Sequence, residues 1–123
     1  DVSSVCRYQR CIQMLRENEG SLTLETLMAI SRDHANGPGP NSICRHGTHY
    51  REETSLGAAV IEVDRHNPEK SKISIALGKP CHAWRSPEGY INLSFDTDKK
   101  DIPEGFFDGS VWQRFYSEEP QLP

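Results

Sequence analysis

No apolar run in this sequence approaches the roughly 20 residues needed to cross a bilayer. Its opening residues, Asp-Val-Ser-Ser-Val-Cys-Arg, lack the basic-then-apolar pattern of a signal peptide. Basic residues are not in excess: 14 Lys and Arg stand against 18 Asp and Glu. That argues against a general nucleic-acid binder, whose affinity comes from clustered cations neutralising phosphates. Cysteine is sparse, with four in 123 residues, far from the density of a disulfide-stapled mini-protein. A reduced, cytoplasmic protein is therefore expected, with Cys6, Cys11, Cys44 and Cys81 as thiols. There is no Cys-x-x-Cys knuckle, no internal repeat and no low-complexity tract. The length suits one domain with a real core.

What is present falls into a helical half and a strand half. Val5, Tyr8, Cys11, Ile12 and Leu15 recur at three- and four-residue steps, which predicts an amphipathic helix over 3–18 capped by Ser3 or Ser4. A second helix is predicted over 24–35, with Thr23 as N-cap and Leu22 stapled to Leu27. Asn36-Gly-Pro-Gly-Pro40 ends helical structure, because proline removes donors and glycine frees the backbone. Beyond it the pattern alternates. Ala59, Ile61 and Val63 share one face of a strand, and Ile73, Ile75 and Leu77 share one of the returning strand after an Asn67-Pro68 turn. Ile91, Leu93 and Phe95 predict a third strand. Residues 96–123 form a charged break and an aromatic tail, with a short helix from Ser110. The fold class is α+β, an antiparallel hairpin with a third strand behind two helices. Such a thin arrangement reads more naturally as a portion of a larger layered fold.

The chemically richest stretch is Asn41 to Gly47, Asn-Ser-Ile-Cys-Arg-His-Gly. Cys44 and His46, two apart, share a face if the chain is extended, so a Cys–His nucleophile pair is one reading and a buried thiol beside a loop histidine the other. Arg45 suits a substrate carboxylate, or an ion pair with Asp33, Glu52 or Glu53. His46 and His49 either line a site or bond to solvent. His34 closes the second helix, where an imidazolium favours the dipole. Cys44-Arg45-His46 with Cys81-His82 has the composition of a tetrahedral zinc site. Adjacent Cys-His side chains point opposite ways, however, and no metal or other cofactor is assigned from the sequence.

Five pieces, in order, resemble a known family: Ser-Ser-Val-Cys-Arg-Tyr-Gln-Arg from Ser3, Leu-Met-Ala-Ile-Ser-Arg-Asp-His34, Asn-Ser-Ile-Cys-Arg-His46, Thr-Ser-Leu-Gly-Ala-Ala-Val-Ile-Glu-Val63, and Ala-Leu-Gly-Lys-Pro-Cys81. The chain resembles, from Ser3 to Phe95, the C-terminal part of the cysteine-type N-terminal-nucleophile hydrolases related to acyl-coenzyme A:6-aminopenicillanic acid acyltransferase. The resemblance implies an αββα sandwich and a precursor that cuts itself before a cysteine. The freed α-amine then serves as base for its own thiol, and small acyl amides or acyl thioesters are the substrates. No Gly-Cys, Asn-Cys or Asp-Cys pair occurs here, so the nucleophile is expected upstream of Asp1 and no catalytic residue within the chain. The chain begins without Met, and its first residue is expected to be a processing site or an expression boundary.

On this reading the 123 residues alone are inactive, and their partner is the upstream part, or N-terminal subunit, of the same enzyme. Ser42, Arg45, His46 and Ser55 are the candidate substrate-binding residues. Leu56 follows Ser55 where the penicillin-processing branch has arginine, which turns the expectation toward another small amide. Cys81 is read as turn chemistry and packing. Open strand edges would let the isolated chain self-associate into a homo-oligomer. The competing reading is a freestanding, non-catalytic α+β binding module, with Arg45 to Arg51 and the aromatic tail as its contact surfaces.

Overall fold

The computed structural model describes residues 1–37, 39–47 and 53–117. Helix α1 spans Val2–Glu17, and its cap is Asp1, whose carboxylate accepts from the Ser3 amide at 3.2 Å, rather than Ser3 or Ser4. Ser3 is turned inward, and its hydroxyl donates to the Pro40 carbonyl at 2.5 Å. Helix α2 spans Leu24–Ser31, with Thr23 capping the Thr26 amide at 3.2 Å as expected. It stops four residues short of the predicted end. The Asp33 carbonyl instead accepts from the Cys44 amide at 3.1 Å, and the Asp33 carboxylate takes two bonds from Arg10 at 2.8 and 3.1 Å. Those long-range partners outcompete another helical turn and leave His34 beyond the helix.

The strand half is as its alternation requires. Strands β1 (Gly57–Glu62), β2 (Lys72–Leu77) and β3 (Tyr90–Ser94) form one antiparallel sheet in the order β1-β2-β3. Asp64 stabilises the hairpin turn by accepting from the amides of His66 and Asn67 at 2.9 and 2.8 Å. Register places Ile61 opposite Ile73 and Ile73 opposite Leu93, all on one face. The other face carries Val60 and Ala76. It packs with Ala83 and Trp84 against Leu24, Leu27 and Met28 of α2, which forms the core. A one-turn helix, α3 (Pro80–Ala83), interrupts the predicted loop before β3, and α4 (Ser110–Ser117) closes the described chain. The fold is therefore α+β.

Two apolar surfaces stay open. Val2, Val5 and Tyr8 on α1 are exposed, contrary to the buried stripe expected for Val5 and Tyr8, because among the described elements none covers that side. On the sheet, Ile61 is 64 % and Phe95 79 % exposed. They border a groove of about 280 Å³ with Ile73 and Leu93. Among the described residues no helix is long and apolar enough to cross a membrane.

Candidate functional site

The segment 41–47 turns and bends as far as Cys44, and its side chains alternate in burial. Ser42, Cys44 and His46 point in, while Ile43 and Arg45 lie on the partly exposed side. Three bonds fix it. The Cys44 amide binds Asp33, the Arg45 amide donates to Ser55 Oγ at 2.9 Å, and the Gly47 amide donates to Thr54 Oγ1 at 2.9 Å. The alternation thus delivers Cys44 and His46 to the interior together, as their two-residue spacing allows.

Two further side chains meet them there. His34 arrives from the end of α2, and Cys81 from α3, where Pro80 at the first helical position turns the chain directly off β2. Gly78 makes that turn with φ of 93°. The Nε2 atom of His46 lies 3.1 Å from His34 Nε2, 3.2 Å from Cys81 Sγ and 3.6 Å from Cys44 Sγ. The ligating atoms of all four residues lie within 4.8 Å of one another. Cys44 is 0 %, Cys81 2 % and His46 6 % exposed.

Electrostatics follow from this enclosure. Burial, with Lys79, His34 and His82 nearby, lowers His46 to about 4, so its ring is neutral. His34 and His82 are lowered too, first by burial. The hydrogen bond between the thiols pulls Cys81 down to about 7, assisted by Arg85 and Lys79. That same bond, together with burial, pushes Cys44 up. A fully buried thiol with a raised pKa is the reverse of an activated nucleophile.

Of the four candidate substrate-binding residues, only His46 joins this cluster. Ser42 is buried and its hydroxyl donates to the Gly37 carbonyl. Ser55 accepts from Arg45 and donates to the Ile43 carbonyl at 3.4 Å, so it latches the segment. Arg45 pairs with the Glu53 carboxylate and reaches the Ser3 hydroxyl at 3.4 Å, while Asp33, the alternative partner, is held by Arg10. His49, Glu52 and the loop to Arg51 lie outside the described residues. His82 is set aside from the cluster, its ring centroid 6.0 Å from that of His46. Cys44, His46 and Cys81 are three of the residues whose composition suits a tetrahedral zinc site, and the fourth place is taken by His34, expected only to end a helix, instead of His82. Nothing in the spacing pairs His34 with the other three.

Compared with protein-family models, with curated proteins and with solved structures, the chain matches none.

Proposed function

We propose that this chain is the C-terminal portion of a cysteine N-terminal-nucleophile acyltransferase or amidohydrolase acting on small acyl amides or thioesters. The observation that carries the reading is the two-faced sheet. One face is covered by α2 and α3 through a small core, and on the other the exposed Ile61 and Phe95 border a groove with the half-buried Ile73 and Leu93. An αββα sandwich has helices outside and an aliphatic seam between its two sheets, and helices on one face with an aliphatic groove on the other are what one half of it would present. The five sequence pieces that resemble the family lie within this half.

In this account the chain contributes outer helices, one sheet and a wall near Arg45, and the nucleophilic cysteine comes from the upstream part. That cysteine's α-amine takes the thiol proton, and the thiolate attacks the acyl carbon, breaking its bond to the amine or thiol leaving group, which departs with the proton from the α-ammonium and leaves a thioester on the enzyme. The acyl group then passes to water or to an amine.

The test is a pair of assays on the full-length gene product, hydrolysis of chromogenic acyl anilides and labelling by a thiol-directed acylating probe. Label on an upstream cysteine, with turnover that disappears when that cysteine is replaced, is the expected result. Turnover that persists without any upstream cysteine, or labelling at Cys44, would refute the assignment.

A further inference from the structure

His34, Cys44, His46 and Cys81 come from three separate parts of the chain, the stretch just after α2, the 41–47 segment and α3. They offer two imidazole nitrogens and two sulfurs around one point. Zinc–nitrogen bonds of about 2.0–2.1 Å and zinc–sulfur bonds of about 2.3 Å give a tetrahedron whose edges are roughly 3.3–3.8 Å. The three measured edges meeting at His46 are 3.1, 3.2 and 3.6 Å.

Hydrogen bonding does not account for this geometry. A neutral imidazole nitrogen has either one proton or one lone pair, so it makes one good bond. Nε2 of His46 has three close polar neighbours, and at least two of them are left without a bond from it. A cation at the centre takes one lone pair from each of the four groups.

We propose that these four side chains form a closed His2Cys2 site for one zinc ion, which cross-links α2, the 41–47 segment and α3. Two thiolates neutralise the dication, so the filled site is compatible with its burial. Four protein ligands in an enclosed position leave none for water, which makes the ion structural rather than hydrolytic. Two sulfurs with two imidazoles suit zinc better than magnesium or calcium, which prefer oxygen. All four cysteines are free thiols, so the ion would be the cross-link that joins these segments. Because the unfolded chain has no such site, binding contributes directly to folding.

Metal content of the full-length gene product, purified under reducing conditions, tests this independently of acyl chemistry. Cys81→Ser and His34→Ala should each lower bound zinc by about one equivalent per chain. His82→Ala, beside the site but outside it, should leave the content unchanged. Cobalt substitution of the unaltered protein should give tetrahedral visible bands with sulfur-to-cobalt charge transfer, a readout that needs no variant to fold. Failure of the folded, reduced protein to hold zinc or cobalt would overturn the site. So would a Cys44–Cys81 disulfide found in its place, or metal loss in His82→Ala equal to that in His34→Ala.

Discussion

Gly78 sits where β2 must turn at once into α3 so that Cys81 reaches His46, and its φ of 93° is one that a side chain resists. Gly78→Ala is expected to cost about 1–2 kcal/mol in urea unfolding. Gly89 is constrained by space instead. A Cβ there would lie 2.1 Å from the Ala83 carbonyl oxygen, which is backbone and cannot swing aside. Gly89→Ala should destabilise by about 1–3 kcal/mol, and a melting point within error of the parent would show that α3 yields. Trp84 donates its indole N–H to Ser31 Oγ at 2.8 Å. Trp84→Phe, which keeps most of the apolar contact, should cost about 1 kcal/mol.

The secondary-structure elements were legible to different degrees, for physical reasons. The hairpin and third strand could be read because alternation is a local property, and so could the Thr23 cap, which needs only its neighbours. The end of α2 could not, because Arg10 and Cys44 decide it from distant parts of the chain. His34 was hidden in the same way. It meets His46 across 12 residues, and Cys81 meets His46 across 35, so spacing alone does not pair them. The argument against adjacent Cys-His ligands holds for Cys81 and His82, since it is Cys81 alone that joins the cluster. At the other end of the chain, the Asp108 carboxylate is held below its usual range by the backbone N–H and the hydroxyl of Ser110, at the start of α4. A depressed carboxylate stabilises fully above its unfolded pKa of 3.8 and loses that contribution as pH falls through the lower folded value. In a Trp84→Phe background, Trp112 emission should therefore change only below about pH 4. Asp108→Asn should abolish that acid transition, and an unchanged transition would place its origin elsewhere.

Among the described residues, large apolar side chains on α1 and on the sheet stay exposed. α2 and α3 lie on one face of the sheet, while on the other Trp112 of α4 reaches the Gly57 end and Ile61, Ile73, Leu93 and Phe95 border an open groove. β1 and β3 are edge strands among the described residues. Exposed edges and aliphatic faces of this kind promote association. The isolated chain should therefore self-associate, and Ile61→Lys or Ile73→Lys should shift it toward monomer in sedimentation velocity. On the proposed sandwich the same changes should impair assembly of the full-length product, because they would place a charge between its two sheets. The thinness of the element pattern is what suggests a portion of a larger layered fold. Which face was left open needed the register.

The central claim, that an upstream cysteine completes this enzyme by self-cleavage, is tested most directly by intact mass and N-terminal sequencing of the purified full-length gene product. The account predicts two fragments, with this chain inside the one whose first residue is a cysteine. A single uncut polypeptide that is active, or one whose reading frame opens beside Asp1, would contradict it.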